Sequence, residues 1–105
     1  MEHTALLYFV GPAGAGKSTL VATLQEWMQH QRYDGVAVNL DPGAETVPYQ
    51  AAIDVREKFT LKEIMNEYSL GPNGAQVVCA DLLALELDWL RSHLEEINCD
   101  YFLVD

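Results

Sequence analysis

The sequence predicts an α/β protein, a three-layer sandwich of helices around a mostly parallel sheet. Three observations carry that expectation. Short, almost wholly apolar segments alternate with longer segments of helical periodicity, the pattern of βαβ units. A glycine-rich turn, Gly11-Pro12-Ala13-Gly14-Ala15-Gly16-Lys17-Ser18, joins the first apolar segment to the first helical one. The final residues, Tyr101-Phe102-Leu103-Val104-Asp105, read as a buried strand ending in an aspartate.

The elements follow in chain order. Ala5–Val10 is apolar enough to be a strand covered on both faces, as parallel strands are. A helix from about Lys17 to Gln31 places Leu20, Leu24, Trp27 and Met28 on one face. Asp34-Gly35 turns the chain into a second strand, Val36–Leu40. Asp41-Pro42-Gly43-Ala44-Glu45 breaks regularity, and an irregular stretch continues through Tyr49. Ile53-Asp54-Val55-Arg56 alternates in polarity and fits either a brief strand or an ordered loop. Thr60-Leu61-Lys62-Glu63 is a capping-box pattern that opens a short helix to about Tyr68. Gly71-Pro72-Asn73-Gly74 predicts a turn or exposed loop. One longer helix follows, from about Ala75 to Ile97, carrying Leu82, Leu83, Leu87, Leu90 and Leu94. Asn98-Cys99-Asp100 then leads into the third strand. Crossovers between parallel strands should be right-handed.

With 105 residues, half of them hydrophobic and 21% charged, the chain suits one small soluble domain with its own core. No apolar run approaches the roughly 20 residues of a spanning helix. No basic segment and apolar run of signal type opens the chain, so a cytoplasmic location is expected. Cys79 and Cys99 are too few for a metal cluster or disulfide framework and read as reduced packing residues. The formal net charge is −10, and from Asp54 onward eleven acidic and four basic residues give a local −7. Such a surface repels phosphates and argues against direct DNA or RNA binding. Ending on an interior strand, residues 1–105 are expected to be the N-terminal part of a longer single domain, cut after that strand.

The glycine-rich turn matches G-x-x-x-x-G-K-[ST], the phosphate-binding P-loop, at every fixed position. Its glycines let backbone N–H groups wrap a phosphate chain, and the helix N-terminus behind it adds partial positive charge. Lys17 would sit beside the β- and γ-phosphates, and the Ser18 hydroxyl can coordinate Mg²⁺. Gly11, Pro12, Ala13, Gly14, Ala15, Gly16, Lys17, Ser18 and Thr19 are therefore the candidate nucleotide-binding residues. A hydrophobic strand ending in aspartate downstream of a P-loop is what a Walker B element looks like, so Asp105 is the second candidate Mg²⁺ ligand. Its plainer reading is a charge that solvates a strand end. Asp41 closes the second strand at the sheet edge where open α/β folds bind ligands. It orients or deprotonates the attacking water, holds Mg²⁺ through water, or is a turn aspartate before Pro-Gly. Glu45, Asp54 and Arg56 read by default as a loop salt bridge. His3, His30 and His93 show no metal-ligand spacing, and Trp27 and Trp89 read as core or interface packing.

Taken together, these pieces resemble the GPN-loop GTPases, a family of P-loop NTPases. Gly-Pro-Ala-Gly-Ala-Gly-Lys-Ser-Thr at 11–19, Asn-Leu-Asp-Pro-Gly-Ala-Glu at 39–45 and Asp-Val-Arg at 54–56 come in that family's order. Gly-Pro-Asn at 71–73 and Tyr-Phe-Leu-Val-Asp at 101–105 complete the series. The simple form is similar to archaeal members. The resemblance implies GTP and Mg²⁺ as ligands and a homodimer whose nucleotide sites face the interface. It implies that Gly71, Pro72 and Asn73 of one subunit reach into the partner's site, with the Asn73 amide at the phosphate end. It also implies that Asp41 lies near the attacking water and metal, which makes Lys17, Asp41 and Asn73 the candidate catalytic set. In eukaryotic relatives the associated biology is RNA polymerase assembly and nuclear import, so polymerase assembly factors are the partners the kinship suggests. The family's Asp-Thr-Pro-Gly-Gln, of which only a first aspartate matches Asp105, and its guanine-reading Asn-Lys-x-Asp motif are not among residues 1–105, so GTP specificity is implied by kinship alone.

A dimeric GTP switch has three competing readings. A P-loop kinase usually needs acceptor-binding arginines, and this chain has three arginines in all. ParA-like or MinD-like ATPases carry an extra lysine early in the P-loop, where Pro12 and Ala13 stand here. The remaining alternative is a non-catalytic assembly module.

Overall fold

The structure is a computed structural model that describes residues 4–11 and 16–105. Its elements are strand β1 (Ala5–Tyr8), helix α1 (Lys17–His30), strand β2 (Gly35–Asn39) and strand β3 (Ala51–Asp54). A single 3₁₀ turn, Val55–Glu57, leads to helices α2 (Leu61–Tyr68), α3 (Pro72–Leu85) and α4 (Leu87–Glu96), then strand β4 (Tyr101–Val104). The strands form one sheet in the order β1-β4-β2-β3, every pair parallel. The α/β sandwich with a parallel sheet is therefore as the sequence predicts.

Side-chain alternation along the strands sorts the two faces. Leu6, Val36, Val38, Phe102 and Val104 pack toward Trp89, Leu90 and Leu94 of α4. Leu7, Ala37 and Leu103 pack on the other side, against Val21, Leu24 and Met28 of α1. A third cluster, Val55, Phe59, Ile64, Ala75 and Cys79, joins the 3₁₀ turn to α2 and α3 beside the sheet. β4 is an interior strand, with Phe102 and Leu103 fully buried, because apolar residues of both parities need cover on both faces. Gly35 lets α1 approach the sheet, since a Cβ there would lie 2.8 Å from the Met28 sulfur. Both cysteines are free and buried, and desolvation pushes both thiols above their ordinary range.

Of the two readings of Ile53–Arg56 the brief strand holds in part: Ala51–Asp54 is a fourth strand, paired with β2 through a register shift between Ala37 and Val38, while Val55 and Arg56 fall in the 3₁₀ turn. Three expectations need correction. Gly71-Pro72-Asn73-Gly74 is not a loop: Gly71 caps α3 and Pro72 occupies its first turn, where a missing N–H costs nothing. The single helix to Ile97 is two helices that meet at Glu86, whose N–H bonds to Leu83 O at 2.9 Å. The break is forced by packing, because Leu82 and Leu83 belong to the α2–α3 cluster while Leu90 and Leu94 cover the sheet. On α1 the inward stripe is Val21, Leu24 and Met28, whereas Leu20 and Trp27 are more than half exposed.

Candidate functional site

The C-terminal ends of β1, β2 and β4 open on one edge of the sheet, where the sequence places its candidate chemistry. A cavity of about 580 Å³ there is lined by Gly11, Gly16, Lys17, Ser18, Thr19, Asp41, Gln76 and Asp105. The fold thus gathers the described P-loop residues, Asp41 and Asp105 around one space. Pro12, Ala13, Gly14 and Ala15 lie outside the described residues.

Each side chain is set by its element. Gly16 caps α1 with φ +83°, a left-handed conformation that favours glycine, and its carbonyl accepts the Leu20 N–H at 3.0 Å. Lys17 and Ser18 then start the helix, whose free N–H groups and dipole face the cavity end. Asp105 follows β4 with its backbone still in the ladder, its N–H on Val38 O and its carbonyl accepting from Leu40 N–H. Its Oδ2 accepts two hydroxyls, Ser18 Oγ at 2.7 Å and Tyr49 Oη at 2.6 Å. Burial, reinforced by the Asp105 hydrogen bond, pushes the Tyr49 phenol far above its ordinary range, so it remains a donor at neutral pH.

Asp41 is exposed and stands in a tight turn, its Oδ1 accepting the Gly43 N–H at 2.9 Å. Behind it Asn39 is fully buried and bonds the Asp41 backbone on both sides, N–H to Oδ1 at 3.0 Å and Nδ2 to carbonyl at 3.3 Å. Asp54 and Arg56 form the ion pair expected of them, at 2.6 Å. Hydrogen bonds from the Arg56 side chain hold the Asp54 carboxyl below the usual carboxylate range. Asn73 is exposed in the first turn of α3, and Gln76, one turn on, is the α3 residue that lines the cavity. Gly71, Pro72 and Asn73 themselves are not part of that lining.

Residue-by-residue reading of the sequence missed Tyr49, Asn39 and Gln76. Asn39 carried a signal, a polar residue closing an otherwise apolar strand. Tyr49 carried none, since its contact with Asp105 spans 56 residues.

A family model described as a conserved hypothetical ATP-binding protein matches residues 9–105. GPN-loop GTPase 3 of Saccharomyces cerevisiae is 42% identical over 96 residues, 91% of this chain and 35% of that protein. The chain belongs to the GPN-loop GTPase family. GPN-loop GTPase 2 of Xenopus tropicalis is 43% identical over 96 residues, 91% of this chain and 31% of its own length. The apo crystal structure of a GTPase from Pyrococcus abyssi superposes with a TM-score of 0.87 at 40% identity, over 98% of this chain and 42% of that one. The chain therefore spans about a third of the curated GPN-loop GTPases it matches.

Lys17, the Ser18–Asp105 hydroxyl–carboxylate pair and the Asp41 carboxylate line one space, an arrangement that could serve phosphoryl transfer. A Mg²⁺ ion bound with a nucleotide fits this donor set. Ser18 Oγ and Asp105 Oδ2 are hard oxygen donors 2.7 Å apart, and Mg²⁺ commonly takes one or two protein oxygens with phosphates and waters. Among the described residues no group of three or more His, Cys, Asp and Glu side chains is placed to hold a metal.

Proposed function

We propose that this chain carries the catalytic half-site of a Mg²⁺-dependent GTP hydrolase that works as a dimeric switch. The observation that supports it most is the Ser18–Asp105 pair lining one cavity with Lys17 and Asp41. In this reading the P-loop holds the triphosphate and Lys17 offsets negative charge on the β- and γ-phosphates. Asp41 accepts a hydrogen bond from the attacking water and orients it in line with the bond to be broken. The water oxygen bonds to the γ-phosphorus and the bond to the β–γ bridging oxygen breaks; GDP and inorganic phosphate leave, one water proton staying on that phosphate and the other passing to solvent. Mg²⁺, held by Ser18 and Asp105, would supply charge neutralisation at the phosphates. Asn73 of a second copy would present its amide to the phosphate end, a dipole aimed where charge develops. Its exposed place at the start of α3, outside the lining of its own cavity, supports action on another subunit.

The names of the relatives support guanine as the base, while the family description names ATP. A homodimer, polymerase assembly factors as partners and a cytoplasmic location belong to the same proposal. No helix among the described residues is long and apolar enough to cross a membrane. The deciding experiment compares GTP and ATP turnover by the full-length protein and its Lys17→Ala variant. GTP turnover that Lys17→Ala abolishes, together with its nucleotide binding, supports the reading. Turnover of ATP alone corrects the base, and a native protein that hydrolyses neither overturns the enzymatic assignment in favour of an assembly module.

A further inference from the structure

We infer that Asn39, Asp54 and Arg56 form a positioning clamp that sets the Asp41 carboxylate for turnover. The inference rests on the role proposed for Asp41, and it assigns work to three residues that lie outside the cavity lining. Asn39 is the only fully buried polar side chain among the described residues. One amide there satisfies both backbone groups of Asp41, and its Nδ2 also donates to Asp54 Oδ1 at 3.1 Å. Asp54 in turn takes Arg56 on both carboxylate oxygens, Nε at 3.0 and 3.1 Å and Nη2 at 2.6 Å. The remaining Arg56 nitrogen, Nη1, donates to the carbonyls of Ala44 and Glu45, both at 3.1 Å. The loop from Asp41 to Glu45 is thus gripped at each end by one connected network. Its middle is tied as well, because the Leu61 N–H at the start of α2 bonds Pro42 O at 2.8 Å.

The residue types are the ones this geometry requires. A side-chain amide both accepts an N–H and donates to a carbonyl; an aspartate at 39 would set a second acceptor against the Asp41 carbonyl and a like charge against Asp54. Only the planar five-donor guanidinium can hold a carboxylate bidentately and still reach two carbonyls. An ordinary loop salt bridge would tie two side chains together. This network instead fixes the backbone on which the proposed water-orienting carboxylate stands, which makes its members positioning residues.

Arg56 carries the test, since its side chain is 23% exposed whereas truncating Asn39 would leave buried partners unpaired and weaken folding itself. In the full-length protein, GTP turnover is measured for Arg56→Ala, Arg56→Lys, Asp41→Asn and the Asp41→Asn/Arg56→Ala pair. Binding of a fluorescent GTP analogue and urea midpoints are recorded alongside. The clamp predicts that both Arg56 variants lose about 10- to 100-fold in kcat with analogue affinity within about twofold of the parent, as a misplaced catalytic group does. It further predicts that the double variant turns over no more slowly than Asp41→Asn alone, because Arg56 acts only through Asp41. If Asp41→Asn abolishes turnover while Arg56→Ala keeps the parental kcat, the clamp is wrong and the Asp41 reading stands. Multiplicative losses in the double variant also overturn it. If Asp41→Asn retains parental turnover, the Asp41 reading fails first and the clamp falls with it.

Discussion

At Asp105 a single carboxylate oxygen receives two hydroxyls, from Ser18 on one side and Tyr49 on the other. The first partner was legible in the sequence because both residues sit in motifs whose chemistry demands an oxygen pair. The second was not, because nothing in a loop tyrosine announces a partner 56 residues away. Tyr49→Phe keeps the ring and removes only the hydrogen bond, so it is expected to lower stability by about 1 kcal/mol, read as a urea midpoint. Asp54 gives a pH signature at the same scale. Its folded-state pKa is depressed, so its contribution is fully present above the unfolded value of about 3.9 and is lost as pH falls below it. Urea midpoints of the parent should therefore drop more steeply than those of Asp54→Asn between about pH 4 and pH 2. Parallel profiles would mean that the Arg56 pairing contributes nothing measurable.

Among the elements, local rules and tertiary packing divided the outcome. Strands β1, β2 and β4 and helices α1 and α2 were readable because short, almost wholly apolar runs, helical spacing and the Thr60 cap mark them. The cap is made as the sequence indicates, with Thr60 Oγ1 accepting the Glu63 N–H at 3.2 Å. Thr60→Ala is accordingly expected to cost about 1 kcal/mol by thermal or urea unfolding. The end of α2 shows the limit of such rules, since Ser69 closes the helix with φ +54° where glycine would be easier. Gly71-Pro72 misled because both residues break helices in their interior, yet both favour a helix start. The joint at Glu86 was invisible locally, because leucine spacing continues through it and only two different packing partners reveal the turn. β3 was ambiguous for a related reason: four residues on a sheet edge need one covered face, which leaves a short and weak alternation.

For the molecule as a whole, the question is which site each candidate residue serves. Lys17 lines the cavity of its own chain, whereas Asn73 lies at the exposed start of α3 and outside that lining. If Asn73 works across a two-fold interface, each nucleotide site draws Lys17 from one subunit and Asn73 from the other. Full-length Lys17→Ala and Asn73→Ala homodimers should then both be nearly inactive, for different reasons. Mixing them with exchange of subunits creates heterodimers in which one site combines an intact Lys17 with an intact Asn73. At equal input, half the dimers are mixed and each holds one working site of two, so GTP turnover should recover to about a quarter of the parental rate. An Asn73 that served its own chain would leave every mixed site defective, and the mixture would stay as inactive as its components. The same mixing experiment performed without subunit exchange must show no recovery, which ties the regained turnover to the shared interface and not to residual activity in either variant.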